Sequence, residues 1–155
     1  LMIFDRWAHF YDDHKAVSAA IMFVHLSGVF LGGGFAIAAD RDSLRLAPFA
    51  PEASDTLSRL STVHRLVITG LVISLLSGLL QMFADLKTYL PSVLFWTKMG
   101  MIVLLLANGA VRLRAERALV RGEPRGWTVF RVTSAASLVL WFAILLAGSY
   151  LSTLS

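Results

Sequence analysis

Four long apolar segments constrain the fold of this chain more than any other feature. They cover residues 16–39, 63–84, 92–111 and 129–154 of a 155-residue sequence, and each is long enough to cross a bilayer, which takes about 20 residues. Only 15% of the residues are charged, whereas soluble domains carry about 25%. With short connections between them, the segments predict a single all-α domain, an integral-membrane antiparallel four-helix bundle in the lipid bilayer.

Arginine placement predicts the orientation of these segments. The residues concerned lie in the connection from Asp40 to Thr62 and in the connection after the third segment: Arg41, Arg45, Arg59, Arg112, Arg114, Arg117, Arg121 and Arg125. Positively charged connections stay in the cytoplasm. We therefore expect a multi-pass protein of the inner (cytoplasmic) membrane. Both termini and the turn from Asp85 to Leu90 should lie outside the cytoplasm. Because the arginines cluster at helix ends, they indicate topology rather than nucleic-acid binding.

Residues 1–15 mix aromatic and charged side chains, among them Trp7 and Tyr11. This composition predicts a short helix that lies in the plane of the membrane interface. His9 and His14, with the acidic residues between them, offer metal-binding groups, although their spacing fits no strong template for a metal site. The chain begins with Leu1 rather than methionine, and the sequence leaves open whether residues precede it.

Two ionisable residues lie where lipid should disfavour them. His25 is about nine residues, or roughly 13 Å, into the first segment, and Lys98 is about six residues, or roughly 9 Å, into the third from the same side. Such placement costs about 2.5–3.5 kcal/mol or more for each group, which makes both functional candidates. Lys98 can alternatively extend to the near interface. His64 lies about 20 Å in depth from His25 and, with Arg65, favours an interfacial pair over joint ligation of one iron.

Small and polar residues form stripes on the predicted helices. Gly28 and Gly32 share a face with His25, while Gln81 and Trp141 belong to similar stripes on the second and fourth segments. Such stripes commonly permit close helix packing. They also fit a space for a flat macrocycle between helices, in which case these four residues would contact a cofactor.

Methionines near the level of His25 indicate a competing ligand. Met22, Met82 and Met99 lie in the same half of the predicted bundle, and thioether and imidazole ligands suit Cu(I). Methionine also fills apolar gaps. The chain has no cysteine, which excludes disulfides, thiolate metal sites and cysteine nucleophiles.

Three runs of residues resemble the CopD-like membrane proteins, a group that includes the HemJ-type proteins. His25-Leu-Ser-Gly-Val-Phe-Leu-Gly-Gly-Gly34 is similar to their first helix, Phe95-Trp-Thr-Lys98 to their tryptophan-and-lysine pattern, and the serine- and glycine-rich stretch from His64 to Leu80 to their second span. The resemblance covers about residues 20–115. For the HemJ-type proteins it implies b-type haem and porphyrin oxidation, with the histidine and lysine matching His25 and Lys98. For CopD it implies copper uptake or resistance.

The sequence therefore favours an integral-membrane protein that binds haem b in a redox or electron-transfer role. His25 would be an axial ligand, and Lys98 a propionate partner or the opposite ligand. The alternatives are a copper-handling protein that uses His25 and the methionines, and a cofactor-free structural subunit of a larger membrane complex. The sequence leaves open whether the chain is an enzyme. It also leaves open whether the chain binds a redox partner or a quinone, and whether it forms a homo-oligomer.

Overall fold

The computed structural model describes residues 2–47, 53–151 and 153, and that part of the chain is helical and contains no strand. The helices are α1 Met2–Asp13, α2 Lys15–Arg45, α3 Ala53–Ala84, α4 Leu86–Tyr89, α5 Val93–Val120 and α6 Gly126–Leu151. Four of these, α2, α3, α5 and α6, are long and apolar enough to cross a membrane. The prediction of a multi-pass helical membrane protein is confirmed at this level.

The helices extend further than the apolar segments. We predicted that the first segment ends at residue 39 and the third at 111, but α2 continues to Arg45 and α5 to Val120, and α3 already begins at Ala53. The ion pair of Asp40 with Arg112 explains why their charges do not interrupt α2 and α5, and the bounds of the spans within the membrane stay a prediction. The predicted end of the fourth segment, at residue 154, lies outside the described residues.

Two side-chain caps set the start of α4 and α5. Asp85 accepts a hydrogen bond from the backbone N–H of Thr88 at 3.2 Å, and Ser92 accepts one from the N–H of Phe95 at 3.2 Å. Each cap satisfies a backbone donor that the first helical turn leaves without a partner. Because Ser92 fixes the beginning of α5, Lys98 lies in the second turn of that helix.

The helices pack mainly as two pairs. α2 lies along α3, α5 lies along α6, and α2 also contacts α6, whereas α3 and α5 make little contact. Glycine permits the closest approach, since a Cβ added at Gly28 would lie 2.7 Å from the backbone nitrogen of Ser74. Gly32 faces Val67 and Leu71 in the same way. The α2–α3 contact is therefore tight, whereas α3 and α5 contact each other at few positions.

Apolar side chains cover much of the outer surface. Phe30 is 82% exposed, Leu146 73% and Phe23 71%, which is typical of a surface that faces hydrocarbon rather than water. Inside, one small core gathers around Phe130 and a second around Trp141 and Ile144. The exposed apolar belt agrees with a lipid environment for the four long helices.

The N-terminal helix α1 rests on α3. The indole Nε1–H of Trp7 donates to the backbone oxygen of Leu80 at 2.9 Å, and the rings of Phe4 and Phe83 have centroids 5.0 Å apart. The helical part of the prediction for residues 1–15 is confirmed over Met2–Asp13. Its position in the membrane interface stays a prediction.

Candidate functional site

The backbone of α3 holds the ring of His25. Its Nδ1 lies 2.9 Å from the backbone oxygen of Ser74 and 3.2 Å from Oγ of Ser77. Because a carbonyl oxygen only accepts, Nδ1 carries the hydrogen and donates it. The neutral ring therefore keeps its lone pair on Nε2, which forms no hydrogen bond within the described part of the chain. Histidines that bind metals show this arrangement, with the second nitrogen fixed by a carbonyl.

A glycine makes room for that ring. A Cβ added at Gly78 would lie 3.1 Å from Cε1 of His25 and 3.4 Å from its Nδ1. Those distances are tighter than ordinary van der Waals contact, so a larger residue would push against the ring. Ser74, Ser77 and Gly78 together fix both the position and the tautomer of His25.

Lys98 extends from α5 towards α6. A Cβ added at Gly148 would lie 3.2 Å from Nζ of Lys98, so the absence of a side chain at that position leaves space for the amine. Lys98 is close enough to His25 for an electrostatic interaction between the two. None of the ion pairs between described residues includes Lys98. His25 and Lys98 therefore lie near each other, and their sharing of one cofactor site stays a prediction.

Gln81 adds a third polar group at this end of the bundle. It lies one helical turn beyond Ser77 on the same face of α3. Its amide Nε2 is buried and has no hydrogen-bond partner among the described residues. A buried donor without an acceptor is uncommon and costs about 1–3 kcal/mol. The amine of Lys98 and the amide of Gln81 thus both lack a partner within the described part of the chain.

The other predicted cofactor residues serve helix packing. α3 fills the space beside Gly28 and Gly32, so neither glycine leaves room for a macrocycle at the α2–α3 contact. Trp141 is 3% exposed and packs on Gly33, where an added Cβ would lie 3.1 Å from its ring. Gly33 is about 12 Å from His25 along α2. Trp141 is therefore a core residue and lies away from His25.

The described residues contain no group of three or more histidine, aspartate or glutamate side chains that could hold a metal ion. The metal site considered at His9 and His14 is accordingly not formed. His14 instead stacks on Phe10, with ring centroids 4.3 Å apart. Of the predicted copper ligands, Met22 is 41% exposed, while Met82 and Met99 are partly buried.

A second polar cluster, which we did not predict from the sequence, lies at the opposite end of the helices. Arg112 of α5 lies at its centre, and its Nη1 forms an ion pair with Oδ1 of Asp40. The Nε of Arg112 is 3.0 Å from Oε1 of Glu116, and Nη2 donates to Oγ of Ser43 at 2.9 Å. The guanidinium carbon lies 5.4 Å from the ring centroid of Phe130, within reach of a cation–π interaction.

His64 belongs to this ionic cluster, which we define as Asp40, Arg112, Glu116 and His64. Nδ1 of His64 lies 2.7 Å from the backbone oxygen of Leu60, and Nε2 lies 3.7 Å from Oε1 of Glu116. The ring of His64 turns towards Glu116 on α5, and the position of His64 and Arg65 at the membrane interface stays a prediction. His64 is ten residues from Ser74, or about 15 Å along α3, so the two histidines cannot ligate one iron.

The spacing of the charged residues contained a signal for this cluster. Asp40 and Ser43 are three residues apart on α2, and Arg112 and Glu116 are four apart on α5, so each pair shares a helix face. That pattern is recognised only if both helices continue through the charged residues. Because we predicted connections at these positions, we did not recognise the shared helix faces.

No family model, curated protein or solved structure matches the chain. The likeness to CopD-like and HemJ-type proteins accordingly rests on the short runs around His25, His64 and Lys98.

Proposed function

We propose that this protein binds haem b in the inner membrane and serves a redox or electron-transfer role, with His25 as an axial ligand of the iron. The observation that carries the proposal is the hydrogen bond from Nδ1 of His25 to the carbonyl of Ser74. It leaves Nε2 as the free nitrogen, and it raises the basicity of the ring as a ligand.

Lys98 and Gln81 support the same cofactor. The amine of Lys98 and the buried amide of Gln81 lack hydrogen-bond partners among the described residues. An anion with several acceptor oxygens would accept hydrogen bonds from both groups. The propionates of haem b are such anions. A Cu(I) ion is not, and the positive charge of a nearby ammonium would weaken its binding. Haem would therefore provide a partner for His25, Lys98 and Gln81. Among these three side chains, copper would bind only His25.

The side between α3 and α5, where the two helices contact each other at few positions, is where a macrocycle would be accommodated. The α2–α3 contact is closed at Gly28 and Gly32, and α5 packs closely on α6. The little-contacted α3–α5 side borders the helices that carry Ser74, Gln81 and Lys98. When bound there, haem would supply one-electron chemistry, and its potential would depend on the ligand, its hydrogen bond and the surrounding dielectric.

We further propose that the long helices form an antiparallel bundle with both termini outside the cytoplasm. Two observations support this. Gly28 lies against Ser74 and Gly32 against Val67, so residue numbers fall along α3 as they rise along α2. The arginine-rich connections after α2 and α5 then share one side, which the positive-inside rule assigns to the cytoplasm.

Absorption spectra of the purified protein, oxidised and reduced, test the proposed cofactor when metal content is measured on the same sample. Haem b predicts a Soret band in both states, an α band on reduction, and about one iron per bound haem. Copper without these bands would favour the copper-handling alternative. A protein without either metal would favour the structural subunit.

A further inference from the structure

We propose that the surface between α2 and α6, at the arginine-rich end of the helices, binds a phospholipid with an anionic headgroup. Arg41, Arg45 and Arg131, which we name the α2–α6 arginine patch, hold the headgroup. The exposed apolar surface that follows the patch towards the middle of both helices receives an acyl chain. This inference does not depend on the proposed haem, whose residues lie at the opposite end.

One contact brings arginines of two helices together. Nη2 of Arg131, on α6, lies 3.5 Å from the backbone oxygen of Leu44 on α2. Leu44 lies between Arg41 and Arg45 in the sequence. Those two arginines are four residues apart, so they share a face of α2 and lie within about 6 Å of each other along the helix axis. The three arginines therefore gather around the last two turns of α2.

The arrangement of the helix pair places Arg41 and Arg131 on one side. α2 meets α6 at Gly33 with Trp141 and at Leu44 with Arg131, as in the antiparallel bundle proposed above. Arg41 is eight residues after Gly33, and Arg131 is ten residues before Trp141, so each is rotated by about 80° from the contact. In an antiparallel pair, equal rotation from the contact directs both residues to the same side.

The protein itself neutralises little of the charge of this patch. All three arginines are exposed, and none of the ion pairs between described residues includes them. Asp42 is the one exposed acid between Arg41 and Arg45, because Asp40 precedes them and is buried beside Arg112. The patch therefore keeps an excess of positive charge, and guanidinium N–H donors that suit a phosphate.

The level of the patch matches the level expected for lipid phosphates. By sequence the first apolar segment ends at residue 39, so Arg41 and Arg45 lie about 3 and 9 Å beyond it. The headgroup region extends about 5–7 Å beyond the hydrocarbon core on each side. Arg131 starts inside the fourth apolar segment, and its long side chain extends to the level of Leu44.

An exposed apolar surface adjoins the patch on the same side. Gly34 and Phe142 directly follow the two contact residues named above, so they share one level and face the side of the arginines. Among the described residues, nothing lies within 4 Å of a Cβ added at Gly34, and Phe142 is 60% exposed. Phe30, one turn from Gly34 on the same face of α2, is 82% exposed. The surface therefore offers an open space with apolar side chains around it.

A phospholipid matches both parts of this surface, since its phosphate would bind the arginines and an acyl chain would cover the apolar part. An acidic protein segment would match the charges but would leave the apolar surface uncovered. With the orientation proposed above, the lipid belongs to the cytoplasmic leaflet, where anionic lipids attract basic residues.

Native mass spectrometry of the full chain released from detergent tests the proposal. The probes are phosphatidylglycerol and phosphatidylcholine with the same acyl chains. We expect the unmodified protein to retain phosphatidylglycerol in clear preference to phosphatidylcholine. The combined substitutions Arg41→Gln, Arg45→Gln and Arg131→Gln should weaken phosphatidylglycerol binding about 100-fold, since each basic residue near the headgroups contributes about fivefold.

The matched control combines Arg65→Gln, Arg114→Gln and Arg117→Gln. It removes the same charge from exposed arginines of α3 and α5 at the same end, and it should bind phosphatidylglycerol like the unmodified protein. Equal loss in the two triple variants would overturn the proposal, because binding would then follow total charge. Absence of any preference for phosphatidylglycerol in the unmodified protein would overturn it without a variant.

Two further measurements test the nature of the ligand. Gly34→Leu fills the open space and should reduce the retention of phosphatidylglycerol, whereas unchanged retention would contradict the place of the acyl chain. Inorganic phosphate at the concentration of the lipid should not displace it, and displacement would indicate a plain anion site instead. Preferential binding of polyglutamate over phosphatidylglycerol would assign the patch to an acidic protein and overturn the lipid proposal.

Discussion

The Nδ1 of His25 donates a hydrogen bond to the backbone oxygen of Ser74 at 2.9 Å, across the contact between α2 and α3. The bond depends on how closely the two helices approach, and that approach depends on Gly28, whose Cα lies directly against the Ser74 peptide. Packing and the proposed iron ligand are therefore linked through one helix pair.

The substitution Gly28→Ala should disturb both the α2–α3 packing and the position of His25. The new Cβ would lie 2.7 Å from the nitrogen of Ser74, a backbone atom that cannot turn aside. We expect a loss of about 1–3 kcal/mol of stability and weaker haem binding, measured by denaturant unfolding and by the Soret absorbance. Gly34→Ala is the control on the same helix, since nothing lies within 4 Å of its added Cβ. Equal effects in the two variants would show that this helix contact does not position His25.

Lys98→Met should lower haem occupancy or shift the reduction potential, because a propionate would lose its cationic partner. Lys98→Arg keeps the charge and should have the milder effect. Lys87→Met removes an exposed lysine on α4 and should change neither quantity. If both Lys98 variants retain the spectrum and the potential of the unmodified protein, the side chain merely extends to the interface and the propionate role is wrong.

Arg112→Met should destabilise the protein by about 3–5 kcal/mol, because it leaves Asp40 and Glu116 buried without their cation. The exposed pair of Arg121 and Glu123 provides the comparison, and Arg121→Met should cost no more than about 1 kcal/mol. Unfolding of both variants in detergent measures the difference. Similar small losses would mean that water reaches the cluster around Arg112.

The orientation predicts opposite sides for two positions in the last part of the chain. Topology reporters fused at Ser155 and near Arg121 should report the outside and the cytoplasm, respectively. A cytoplasmic signal at Ser155 would reverse the assignment of sides and place His25 and Lys98 in the cytoplasmic half.

The sequence was sufficient to predict the membrane class, because each apolar segment is long enough to span the hydrocarbon core of a bilayer. Depth counted along the helices places His25 and Lys98 in the same half of the predicted bundle, and this depth stays a prediction. The limits came from what a single helix cannot reveal. Periodicity places Gly28 on a face but does not say whether a cofactor or α3 fills the space beside it.

Long-range pairing was the other limit. Ser43 and Arg112 are 69 residues apart in the chain, and no local pattern states that they meet. We therefore assigned the charged residues at the ends of the apolar segments to connections between helices. In the structure Asp40 and Arg112 remain helical, because each has a partner on another helix. The contact of His64 with Glu116 was missed for the same reason, since Glu116 lies on a distant helix.

The most direct test of the central claim compares haem content in three alanine variants of histidine. His25→Ala should lose most of the Soret absorbance, since it removes the proposed ligand. His14→Ala changes an exposed residue just before α2. His64→Ala changes the ionic cluster, about 15 Å from Ser74 along α3. Both variants should therefore retain haem if they fold. Undiminished haem in a folded His25→Ala variant would contradict the account.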